Sequence, residues 1–126
     1  MERLKPHKKL DLWGKIIDLV VFLYEITKPL PREEEFGLKA QIRRAGVSVP
    51  SNVSEGLTRK TKKDKTHFLN MAQSSLSEID AQIEVSRRLG FISKATEVEA
   101  NERLSTVEMM LSGLVRSISS REAANH

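Results

Sequence analysis

Two glutamates and one run of cations are the residues of this chain whose types and spacing could do chemistry. Glu55 and Glu78 are candidates for acid–base work, because two carboxylates whose pKa values are pushed apart can divide the roles of acid and base. No second chemical group accompanies them. The three histidines, His7, His67 and His126, are never within i,i+4 of one another, and no Glu-x-x-His spacing exists. The pattern therefore offers neither a di-iron carboxylate site nor a zinc site. Serines are numerous, but none belongs to a nucleophile elbow or a triad motif. Both glycine-rich phosphate cradles are missing as well. We expect a non-enzyme with no metal, no cofactor and no small-molecule substrate.

The cations point elsewhere. Between Leu57 and His67 stand Arg59, Lys60, Lys62, Lys63 and Lys65, with Asp64 as the one acid among them. Such a cluster can contact phosphates, and Arg43, Arg44, Lys8 and Lys9 are candidates to extend it. No aromatic residue is interleaved to stack on bases, so the contact would follow backbone and shape rather than sequence. The alternative is a solvated connection leading into a helix.

These residues need helices to place them. The chain has 126 residues and only six aromatics, with little glycine or proline and no cysteine. It is long enough for one domain with its own core, is free of disulfides, and suits a reducing cytoplasm. No apolar run reaches the length of a membrane span. Charge is unevenly placed: residues 31–67 carry nine Lys/Arg against five Asp/Glu, and residues 68–126 carry six against eight. That asymmetry fits an anionic partner on one side, or opposite faces meeting in an oligomer.

Apolar periodicity predicts four helices, over residues 11–28, 32–57, 63–89 and 93–119. Asp11 reads as the first N-cap, and the breaker Pro29-Leu30-Pro31 ends that helix. Val21 and Phe22 fall outside its main apolar face and are candidate contacts with another subunit. The second helix starts with Pro31 and three glutamates, then aligns Leu38, Ile42, Ala45, Val49, Val53 and Gly56. Pro50 either kinks it, with Gly46 easing the crowding, or breaks it in two. Beside its apolar seam lie Gln41, Ser48, Asn52 and Glu55, while Glu78 and Gln82 edge the third helix. Half-buried between helices, such groups would tie the two rods together and fix their register. The third helix carries Ala72, Ser75 and Ser86 in its stripe, which permits close approach, and Gly90 caps it. Ser93 reads as the N-cap of the fourth helix, whose polar tail should fray. Met71 and Met110 are expected to fill core, while Met109 points away from it. Short connections make this an all-α, antiparallel up-and-down four-helix bundle.

Arg43-Arg44-Ala45, the run Ser48-Val49-Pro50-Ser51-Asn52-Val53-Ser54-Glu55-Gly56, then Phe68-Leu69, Ala72, Ser75-Leu76-Ser77-Glu78 and Leu89-Gly90-Phe91-Ile92 together resemble a known family. It is that of the bacterial four-helix-bundle proteins labelled 23S rRNA-intervening-sequence, or ribosomal-protein-like, proteins. The resemblance spans about residues 8–118, and departs mildly at Val53-Ser54, where the family commonly has Ile-Ala. It implies a left-handed bundle that assembles as a homopentameric ring, in which the basic loop would recur. A related branch, the accessory variability determinant of diversity-generating retroelements, partners a reverse transcriptase and binds nucleic acid, although its motif is not evident here. The expectation is a cytoplasmic oligomer that binds RNA through its basic end. The alternatives are a protein-interaction scaffold and an accessory subunit of a nucleic-acid enzyme such as that reverse transcriptase.

Overall fold

In the computed structural model, which describes His7 and residues 10–124, with side chains up to Ser120, four helices account for nearly all of the chain. They are α1 (Asp11–Thr27), α2 (Leu38–Thr58), α3 (Lys62–Arg88) and α4 (Lys94–Ala124), with a 3₁₀ turn at Arg32–Glu34. Among the described residues there is no strand. Backbone contacts join α1 to α2, α2 to α3, α3 to α4 and α4 back to α1, with none along either diagonal. The helices therefore stand at the corners of a square, each antiparallel to the next, as short connections require.

The apolar stripes meet on the inside. Leu12, Ile16, Leu19 and Leu23 from α1 meet Ile42, Ala45, Val49 and Val53 from α2. Leu69, Ala72, Leu76, Ile79 and Ile83 from α3 and Ala100, Leu104, Val107 and Leu111 from α4 complete one core. Burial of this set, at roughly 25 cal/mol per Å² of apolar surface, is what holds helices of modest intrinsic propensity together.

Several boundaries differ from expectation. Asp11 is not the N-cap of α1; Leu10 holds that place with extended backbone and no side-chain cap, and it packs on the core. Asp11 still faces the positive helix end from the first turn. The second helix begins at Leu38 rather than residue 32, because the one large apolar side chain between Arg32 and Gly37 does not pack: Phe36 is 96% exposed. Glu34 then caps the helix from outside, its carboxylate accepting the Leu38 N–H at 3.0 Å. α2 runs unbroken through buried Pro50, so the reading of two separate helices fails. α4 continues past residue 119 to Ala124, since Arg, Glu and Ala are good helix formers and no Gly or Pro stops them. The last two residues of the expected frayed tail lie outside the described residues.

Two connections are locked by local chemistry. Thr61 caps α3, accepting the Asp64 N–H at 3.1 Å. At the other end Gly90 adopts φ +81°, donating to Arg87 at 3.0 Å while Phe91 donates to Ser86 at 2.9 Å. This paired closure needs the left-handed residue that glycine supplies without a Cβ clash. Ser93 starts α4 as expected, accepting the Thr96 N–H at 3.1 Å.

Glu97 was invisible in the sequence pattern. It is buried in the first turn of α4, where its carboxylate accepts from Lys94 at 2.8 Å and from Arg87 of α3 at 3.0 Å. The Lys94 hydrogen bond and then the Arg87 contacts hold its pKa below the ordinary carboxylate value, against the opposing effect of burial. On α4's flank toward α3, burial and then the nearby Asp80 hold Glu108 above that value. For Glu97 the folded state prefers the ionised form, so its stabilising effect is present above the ordinary value of 4.5 and disappears as pH falls through the lowered one. Glu97→Gln should therefore lower the melting temperature at neutral pH, and the gap from the parent protein should close in acid scans below that range.

Candidate nucleic-acid interface

The basic run spans the three-residue connection between α2 and α3 and the first turn of α3, and its geometry follows from how closely those helices meet. Gly56 makes the approach possible. A Cβ there would lie 3.1 Å from Phe68 Cβ and 3.2 Å from the Lys65 carbonyl oxygen. One turn further from the loop at each step, Asn52 and then Ser48 follow on the same edge of α2. The Ser48 and Ser75 hydroxyls meet at 2.5 Å across the two helices. Each is also within bonding distance of a carbonyl of its own helix, Ala45 at 2.8 Å and Met71 at 3.2 Å.

The rest of the expected clasp is not direct. Asn52 donates its amide to the Ser48 carbonyl at 2.9 Å, inside its own helix. Glu78 accepts from Gln82 at 3.1 Å, again within one helix. Glu55 is exposed and pairs with Arg59. Glu55 and Glu78 thus have separate partners, both are exposed, and neither bonds across to the other helix. Glu55 nevertheless contributes to the junction through Arg59, whose guanidinium lies 4.7 Å from the centroid of the Phe68 ring of α3. The buried side-chain amide oxygen of Gln82 has no partner among the described residues.

This junction sorts the cations. Arg59 is committed to Glu55 and Phe68. Lys65 reaches back to the Leu57 carbonyl at 3.4 Å, serving the frayed carbonyl end of α2. Among the described residues the ammonium groups of Lys60, Lys62 and Lys63 have no hydrogen bond or ion pair, although the Lys62 and Lys63 carbonyls accept from the Thr66 hydroxyl at 2.9 and 3.1 Å, and Lys60 and Lys63 are exposed. Arg43 and Arg44 do not extend the cluster. They lie some 15 residues back along α2, roughly 22 Å at 1.5 Å per residue, and Arg43 is bonded to Thr27 at 2.9 Å and to the Tyr24 carbonyl at 3.0 Å. Lys8 and Lys9 lie outside the described residues. Arg116 was missed: the Gln73–Ser112 contact at 3.4 Å sets the α3–α4 register, which puts exposed Arg116 about two turns from the loop. Its place in an acidic segment hid it.

The expected subunit contacts also divide. Val21 is 55% exposed, but Phe22 packs against the core under Arg103, whose guanidinium lies 4.5 Å from its ring centroid. Phe22 escapes the helical-wheel face because α4 closes over that flank of α1. Ile17, which helical spacing places on the apolar face of α1, is exposed with Val21 instead, as are Tyr24 and Val47, which spacing did not single out. Met71 is 43% exposed rather than core, Met110 packs on the core, and Met109 is exposed as expected. A concavity of about 160 Å³ between α1 and α4 is lined by Lys15, Asp18, Glu102, Arg103 and Thr106, and contains neither Glu55 nor Glu78. Among the described residues no group of three metal-ligating side chains converges, and no helix is long and apolar enough to cross a membrane.

The described residues thus form a square antiparallel bundle with a close α2–α3 junction and a lysine-bearing turn at one end. This chain belongs to the 23S rRNA-intervening sequence protein family, whose profile matches residues 8–113. A crystal structure of a protein of unknown function from the S23 ribosomal protein family of Bacteroides thetaiotaomicron superposes with a TM-score of 0.73 at 20% identity. That match covers 82% of this chain and 97% of the other, and it bears on the fold alone. No curated protein matches.

Two substitutions separate the junction from the free cations. Gly56→Ala should destabilise the fold by about 1–3 kcal/mol, because the overlap falls partly on backbone. In the same denaturant titration Arg59→Ala should cost about 1 kcal/mol, while Lys60→Ala and Lys63→Ala should stay within about 0.5 kcal/mol of the parent.

Proposed function

We propose that this protein is a non-catalytic, cytoplasmic, oligomeric bundle that binds RNA through phosphate contacts from Lys60, Lys62 and Lys63. The observation that carries the reading is the division of the loop: two cations are spent on the α2–α3 junction, and the ammonium groups of three adjacent ones have no partner among the described residues. Unpaired lysines on a rigid turn, held between a capped helix start and a helix end, suit a polyanion better than a disordered tail would. Phe68 is covered by Arg59 and meets the exposed His67 ring edge to face at 5.2 Å, which leaves His67 as the stacking surface there among the described residues. The expected mode is chiefly backbone recognition.

Oligomerisation supports the same reading. One copy offers few phosphate contacts, whereas a ring repeats the loop and multiplies the positive field. The family name links these proteins with 23S ribosomal RNA, which makes structured ribosomal RNA the first ligand to try. The scaffold reading draws on the exposed apolar side chains of α1 and α2, and the accessory-subunit reading on the same lysines with a different nucleic acid.

The discriminating experiment is anisotropy of a labelled ribosomal RNA hairpin at rising salt. Three lysines per chain should give log K falling with log salt at a slope of about −2 to −3, and more steeply if several copies engage one RNA. Lys60→Glu, Lys62→Glu and Lys63→Glu together should abolish binding. Binding that ignores both salt and these lysines would overturn the RNA reading and leave the scaffold.

A further inference from the structure

One polar line on the first turns of α3 takes no part in holding the bundle together. Lys63, His67, Asn70 and Ser74 stand at i, i+4, i+7 and i+11, within about 60° of one another at 100° per residue. All four are exposed, and none of their side chains has a hydrogen bond or ion pair among the described residues. The only acid of α3 ahead of Glu78 is Asp64. It lies off this line on the side toward α2, where Ser75 meets Ser48. His67 is the one ring on the line. Its contact with Phe68, 5.2 Å between centroids at 76°, is edge to face and covers at most one face of the imidazole. Phe68 is itself held under Arg59 at 4.7 Å. The imidazole therefore stands on a fixed neighbour and still presents a flat face to solvent, one turn from the ammonium of Lys63.

Building on the RNA reading above, we propose that His67 stacks on an unpaired base, so that the RNA taken by this surface is single-stranded: a loop, bulge or end rather than a duplex. Lys63 holds the neighbouring phosphate, and Asn70 and Ser74 offer uncharged hydrogen-bonding groups to the sugars that follow. Spacing favours the single strand. Successive groups on the line are about 4.5–6 Å apart at 1.5 Å per residue, against about 3.4 Å per nucleotide along a duplex strand. A strand drawn along α3 must open its stack to match, and that uncovers base faces. Shape agrees. The major groove of an A-form helix is too deep and narrow for side chains to read, and its minor groove shows 2′-hydroxyls and base edges. A ring on a convex helix surface meets a base face only where the base is splayed out. Lys60 and Lys62 serve paired and unpaired RNA alike, whereas the ring serves only the unpaired form. Every base has a π-face, so the discrimination is by strandedness more than by sequence.

Anisotropy with a short labelled RNA of mixed sequence, alone and annealed to its complement, tests this assignment. The parent protein should bind the single strand more tightly than the duplex. His67→Ala should weaken single-strand binding about 5- to 20-fold and leave duplex binding within about twofold of the parent. Loss of a stacked ring releases no counterion, so the slope of log K against log salt should stay the same. His67→Tyr should restore the preference for the single strand, and His67→Lys should not. Single-strand binding unchanged in His67→Ala, equal weakening on both RNAs, a shallower salt slope, or rescue by lysine instead of tyrosine would each overturn the stacking role while leaving phosphate binding by the lysines in place. A parent protein that binds neither RNA, or a triple Lys60→Glu, Lys62→Glu, Lys63→Glu variant that binds both unchanged, would overturn the RNA reading itself.

Discussion

The approach of α2 to α3 at Gly56 is the constraint on which the rest of this molecule depends. With no side chain at that position, the two backbones come within contact of Phe68 and of the Lys65 carbonyl. The loop between them is then short, and its conformation is fixed at both ends by the Thr61 cap and by Lys65 reaching the Leu57 carbonyl. Arg59 is drawn over Phe68 for the same reason. The lysines left over have nowhere to go but outward. A loop that looks like a solvated charge run in sequence thereby becomes a rigid mount for three cations.

The two ends of the bundle are built on opposite electrostatic logic. At the α3–α4 connection a buried carboxylate, Glu97, gathers Arg87 and Lys94 and offsets one of their two charges. At the α2–α3 connection the acids are outnumbered, and the one ion pair, Glu55 with Arg59, consumes a cation without cancelling its neighbours. The lysines left unpaired at this connection therefore form a local positive field at one end, where it can act on a partner.

Periodicity made the helices and core legible because burial enforces it: every large core residue from Leu12 to Leu111 sits on a stripe that helical spacing predicts. Boundaries were less legible where they depend on a single group. The start of α2 turns on Glu34 reaching the Leu38 amide, and the place of Glu97 turns on two cations brought from different helices. The clasp was half legible. Ser48, Ser75 and Gly56 were recognisable as small residues at an interface, but whether Asn52 and Glu55 reach across or stay within α2 depends on rotamers that spacing does not encode. Phe22 illustrates the remaining difficulty. A single-helix wheel cannot know that a second neighbour, bearing Arg103, covers its flank.

Pro50 gives α2 one further property. Position 50 has no amide hydrogen to offer the Gly46 carbonyl, so the hydrogen-bond ladder of this 21-residue helix lacks a rung near its middle. The neighbouring rungs still cross this point, and buried Val49 and Val53 hold the helix to the core on either side of the gap. α2 is thus a spliced rod: stiff within each half, most compliant at the splice, and able to take up small differences in curvature between its neighbours.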